Sequence, residues 1–267
     1  MRFRPVHLGD LEIEDEGSFS HVGLYDDLKR VASDHRLSFL VPERGELPWD
    51  DVALLNLTYW TPGVADVLAG PRIPADVVAH VVWHHLCARS LPPGMKANLL
   101  GESVASAFDF YLVGRLLGQR PDSAFLETQV PRMAAAAEDA GADPAELEAL
   151  LGEAAAEPER AFEDLRELLF DTSLALAEAG SIDEAAAALA RAKEHRFGSI
   201  VHHYELSNWV VRSKLERATA GAPKDESAAA SVDRALREAP DAVAWLEEHW
   251  VQPALEADSA AISLGVK

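Results

Sequence analysis

From Pro74 onward the chain is a succession of Ala- and Leu-rich segments whose apolar residues recur three and four positions apart, the period of an α-helix rather than of a strand. Ala and Leu oppose helix formation least, so pattern and intrinsic preference agree over most of the chain. Proline and glycine divide the run. A first helix is expected from Pro74 to about Pro92, with Asp76 in its first turn, where negative charge meets the positive end of the helix dipole. A second is expected over 101–117, closed by Gly118 and Pro121, and a third over 122–140, which Pro131 must start, kink or interrupt. Further helices are expected at about 144–155, 159–179, 182–217 and 226–256.

Residues 1–60 are different in kind. They mix short extended pieces with one amphipathic helix at 24–33; residues 37–41 and 52–60 read as strands, separated by Pro42, Gly45 and Pro48. The expected fold is therefore mainly α: a helical array with a small N-terminal α/β portion. The first division is drawn at residues 1–120, followed by a helical portion at 121–267, packed together as one globular unit. Around Gly180 one helix ends and another begins after the Ser181 cap, which looks like the inter-helix turn of a tetratricopeptide repeat. It occurs once, and a solenoid needs several stacked units, so an ordinary helical hairpin is expected. The small and polar stretch 218–231 reads as a linker or long loop.

Charge narrows the partners. With 24 Lys and Arg against 45 Asp and Glu, the formal charge is -21, a field that repels nucleic-acid phosphates and anionic lipid. No nucleic acid and no membrane are expected as partners; a protein or peptide is. The single cysteine, Cys87, excludes an intrachain disulfide and a multi-cysteine zinc site, and residues 1–7 lack the apolar core of an export signal. The cytoplasm is the expected compartment.

One local pattern carries chemistry. Three of the ten histidines fall in His80-Val81-Val82-Trp83-His84-His85. On a helix His80 and His84 stand one above the other and can share a metal ion, whereas His85 lies about 100° further round. Asp76, four residues before His80, continues the stripe and could orient His80 or serve as a helix-start charge. On the next helix Glu102, Ser106 and Asp109 fall at i, i+4 and i+7 among Val, Ala, Phe, Tyr and Leu, where a carboxylate is costly to bury unless a metal, a base or hydrogen bonds compensate.

His80-Val81-Val82-Trp83-His84 followed by Gly101-Glu102-Ser103-Val104-Ala105-Ser106 resembles the paired helices of the gluzincin zinc metallopeptidases. There an HExxH helix supplies two histidines and a glutamate on the following helix supplies the third ligand. The resemblance implies a zincin-like arrangement over residues 50–118, zinc held by His80, His84 and Glu102, and Asp109 behind them. It departs from the family at Val81, which stands where the general-base glutamate belongs and cannot accept a proton. A catalytically degenerate member, a pseudoenzyme or a site of altered metal-dependent activity, is what this implies.

Downstream, His195 precedes His202-His203-Tyr204-Glu205 and Asn208. His202 and Glu205 share a helix face; this helix could supply a fourth ligand, a replacement base in Glu205 or a proton donor in Tyr204 or His202, or form a polar surface beside the apolar stripe of Val201, Tyr204, Leu206, Trp209 and Val210. The spacing of a di-iron bundle is absent, since no histidine has Glu three residues before it. A mononuclear iron site remains compatible with two histidines and a carboxylate, so zinc is expected with iron as the alternative. The competing expectation is a non-enzymatic interaction or scaffold protein with structural histidines and no metal, whose helical faces dock a partner helix or peptide.

Overall fold

The structure is a computed structural model, and it describes residues 2–47, 54–55, 65–201, 203–220 and 226–263. The fold is mainly α with a small N-terminal strand portion, as the sequence pattern requires. The chain packs as two compact units: Met1–Ser90 together with Ala244–Lys267, and Leu91–Val243. The sequence placed the division near residue 120; the packing places it after the first long helix and returns the C-terminal segment to the N-terminal unit.

In the first unit, β1 (Phe3–His7), β3 (Ser38–Pro42), β5 (Asp66–Leu68) and β4 (Leu54–Leu55) form one sheet in the order β1-β3-β5-β4. β1 runs antiparallel to β3, with Val6 opposite Phe39, and β3 runs parallel to β5. Val6, Phe39 and Val41 are buried, which fixes this register because a one-residue slip would turn them to the other face. β2 (Glu12–Glu14) and β6 (Arg72–Pro74) make a separate parallel pair. Of the strand expected at 52–60, residues 54 and 55 are β4, and the others lie outside the described residues.

The helix α1 (Gly23–Asp34) buries Leu24, Tyr25, Leu28, Val31 and Ala32, the i, i+4, i+7 and i+8 stripe of an amphipathic helix. It stops in a Schellman motif: Arg36 takes a left-handed conformation at φ 53°, the Leu37 N–H reaches the Ala32 carbonyl at 2.9 Å and the Arg36 N–H the Ser33 carbonyl at 3.0 Å. α1 packs against α2 (Ala75–Ser90) and α11 (Gln252–Ser263).

The second unit is built around α3 (Met95–Leu117), whose side chains are buried on almost every side. It starts earlier than the expected residue 101, because Met95, Ala97, Leu99 and Leu100 extend the same buried surface. Around it lie α4 (Ala124–Asp139), which carries Pro131 in its interior, α5 (Pro144–Ala156), α6 (Pro158–Glu178), α8 (His203–Ala220) and α9 (Ser227–Glu238). Gly114 of α3 sits where a Cβ would lie 2.5 Å from the Ala154 carbonyl oxygen, so only glycine permits this approach of α3 to the end of α5. α6 is joined to α7 (Ile182–Lys193) by the hairpin expected at Gly180; the Ser181 hydroxyl accepts from the Glu184 N–H at 3.2 Å, and the Glu184 carboxylate accepts from the Gly180 N–H at 2.7 Å.

Two helices expected to be continuous are broken. The run 182–217 divides into α7 and α8 because the chain turns sharply at Gly198, where a Cβ would meet the Ala192 and Lys193 carbonyl oxygens at 2.5 and 2.7 Å. The turn buries Phe197, whose ring meets that of Phe110 edge-on at 5.2 Å. The run 226–256 breaks before Pro240, where Ala239 is extended as the residue before a proline tends to be. It resumes as α10 (Ala242–Leu246), a π-helical turn at Glu247–Val251, and α11. The π turn lies just ahead of Pro253, which has no N–H to return to the preceding turn. The expected linker at 218–231 is largely helix: α8 runs to Ala220 and α9 starts at Ser227, with 221–225 outside the described residues.

A buried arginine ties α6 to α9. Arg166, fully buried, holds Glu163 through Nε and Nη2 at 2.7 and 2.6 Å and Asp233 through Nη1 at 2.8 Å. Arg237 holds the other oxygen of Asp233 at 2.9 Å and reaches Glu167 and Asp171. Four carboxylates, Glu163, Glu167 and Asp171 of α6 and Asp233 of α9, thus share the guanidiniums of Arg166 and Arg237, and the burial of Arg166 is tolerable because its donors are met. Among the described residues no helix is long and apolar enough to cross a membrane.

Candidate metal centre

α2 follows directly on β6, and its apolar residues face in every direction: Val78, Ala79, Val81, Val82, Trp83, Leu86 and Cys87 are all buried. A helix this apolar is largely interior, and of its histidines His84 is buried while His80 and His85 are half-buried. His80 and His84 stack one turn apart, as their spacing demands, with ring centroids 4.8 Å apart and planes at 66°. Their Nε2 atoms approach to 3.1 Å. Two nitrogens bound at about 2.0–2.1 Å to one tetrahedral ion stand about 3.3 Å apart, so these two atoms already lie near the spacing a single ion can use.

Electrostatics favour the same form. His84 is 4% exposed, and burial, reinforced by the neighbouring His80, pushes its pKa well below the ordinary imidazole range. A neutral imidazole is the metal-ligating state, so this histidine is poised to ligate without first losing a proton. Val81 is buried and aliphatic, which leaves no proton acceptor after the first histidine.

His85 turns away from this pair, as the helical period requires, and finds a partner that the sequence did not disclose. Its Nε2 lies 2.7 Å from His35 Nδ1 at the end of α1, and His35 Nε2 lies 3.2 Å from the Ala254 carbonyl in α11. A carbonyl can only accept, so His35 carries its proton on Nε2. In the neutral ring its Nδ1 then accepts from the His85 Nε2–H. The histidine triplet therefore divides into a metal-type pair and a structural clasp joining α1, α2 and α11.

In the second unit Glu102 lies on α3 and is 6% exposed, with Ser106 and Asp109 half-buried along the same stripe. Ser103 is satisfied internally, donating to the Leu99 carbonyl at 2.7 Å. Of the downstream cluster, Glu205 is exposed in the first turn of α8, and His202 lies outside the described residues. His195 is half-buried; burial lowers its pKa, Asp164 opposes that shift, and its Nδ1 accepts from the Phe197 N–H at 3.3 Å. Comparison with known protein families, with characterised proteins and with solved structures finds no match.

Proposed function

We propose that His80, His84 and Glu102 hold one divalent metal ion, zinc by preference and ferrous iron as the alternative, and that holding this ion is the core of what the protein does. The observation that carries the reading is the pair of histidine Nε2 atoms 3.1 Å apart on a buried helix, one of them kept neutral by its surroundings. Glu102 adds a buried carboxylate, a group that a cation compensates. Two imidazoles and one carboxylate make a three-ligand set that leaves a position for water or a ligand.

Bound there, the ion would supply Lewis acidity. The chain's own residues do less than those of a hydrolase: Val81 cannot take a proton from water. The reading is therefore a degenerate gluzincin-like centre, a pseudoenzyme that keeps its metal for structure or for ligand recognition. The test is elemental analysis of the purified, untagged protein beside its His80→Ala and Glu102→Ala variants. Near-stoichiometric zinc or iron, lost in both variants, is the expected result. No bound metal after incubation with zinc and with ferrous iron overturns the reading and leaves the histidines structural.

A further inference from the structure

α8 buries one side and exposes the other. Leu206, Trp209, Val210 and Ser213 face inward, while Val211 and Leu215 are 55% and 61% exposed. Single exposed aliphatic side chains are common on a protein surface, but these two are neighbours four residues apart on one helix face and so make a continuous apolar strip. With Asn208 they form a line spaced three and four residues apart, the spacing of a helix–helix seam.

Charge fits this seam to one kind of partner. Glu205 and Arg212, both exposed, are seven residues apart, two helical turns, and so lie on the same flank of the seam. Among the described residues neither has an ion-pair partner within the chain. A second α8 laid parallel would set Glu205 against Glu205 and Arg212 against Arg212. Laid antiparallel about a two-fold axis between residues 208 and 209, it sets each Glu205 against the other copy's Arg212, twice over, and brings the two Asn208 side chains together at the centre. A polar residue at the middle of an apolar seam is a known device for fixing register.

We propose that α8 is a self-complementary surface on which a second copy of this chain docks antiparallel. Val211 beside the central Asn208 and Leu215 one turn further out supply the apolar contacts on each side of the axis, and the reciprocal Glu205–Arg212 contacts set the direction. A helix of 18 residues is about 27 Å long, and one such helix pair buries area near the low end for specific association, about 1,200 Å². An interface this small fits a weak dimer, populated at micromolar concentrations and independent of the metal centre.

Sedimentation equilibrium from about 1 to 300 µM tests it. The wild-type chain is expected to move from monomer to dimer across this range. Glu205→Lys or Arg212→Glu alone, each creating two like-charged contacts, should weaken association about tenfold. The double variant should restore it, and Leu215→Glu should leave a monomer with an unchanged circular dichroism spectrum. A chain that stays monomeric to 300 µM overturns the proposal, and so does a dimer indifferent to Leu215→Glu or a charge swap that does not restore association.

Discussion

Acidifying the metal-free protein should reveal the buried state of His84. In the unfolded chain this imidazole takes up a proton near the ordinary value of about 6.5. In the folded chain burial and the adjacent His80 hold its pKa well below that. Between these two values the unfolded state binds more protons than the folded one, so stability rises with pH through the window and falls as pH is lowered. Each pH unit below about 6.5 then costs at most about 1.4 kcal/mol, so a single such group can contribute no more than about 2 kcal/mol by pH 5. Above about pH 7 the contribution is flat. The comparison to make is the EDTA-treated wild type against His84→Gln, whose amide spans the same side-chain length without titrating, by urea unfolding at intervals from pH 8 to 5. His195, whose pKa is lowered in the same direction, is present in both proteins and cancels in the difference. The variant should start less stable at pH 8 and steadily regain stability on the wild type as pH falls to 5, by up to about 2 kcal/mol. A difference that stays constant across that range refutes the argument, because it would mean that folded and unfolded His84 bind protons alike.

Two backbone predictions have opposite signs. Gly114→Ala drives a Cβ into the Ala154 carbonyl oxygen and against Pro158, contacts that only a shift of α3 from α5 can relieve; a loss of about 2–3 kcal/mol in urea unfolding is expected, and an unchanged midpoint would refute the close approach. Arg36→Gly relieves a left-handed conformation at the end of α1 without disturbing its Schellman bonds, which are made by the backbone, and should stabilise by about 0.5–1 kcal/mol; a lower melting temperature would show that the Arg36 side chain matters more than its backbone angle.

Much of the fold is legible in the sequence because helices are local. The ends of α2, α5 and α6 fall within a few residues of their expected positions, since proline, glycine and capping residues act on their own neighbours. The same locality gives the histidine pair: residues four apart on a helix are neighbours whatever surrounds them, and His85 must point elsewhere. Composition likewise excludes an intrachain disulfide, since there is one cysteine.

Other features were decided by groups far apart in sequence. Gly198 only weakens the helix expected at 182–217; the break comes with the burial of Phe197 against Phe110, 87 positions earlier in the chain, an arrangement set by tertiary packing. His35 is 50 residues from His85, and nothing near either one marks them as partners. Arg166 looks like any other charged residue of an amphipathic helix until Asp233, 67 residues on, makes its burial tolerable. The strand order β1-β3-β5-β4 depends on which edges meet, and the return of residues 244–267 to the first unit depends on the apolar surface that α1 presents to α11. Periodicity and capping are properties of a short stretch of chain and can be read from it; burial and pairing belong to two stretches at once, and only the folded chain brings both together.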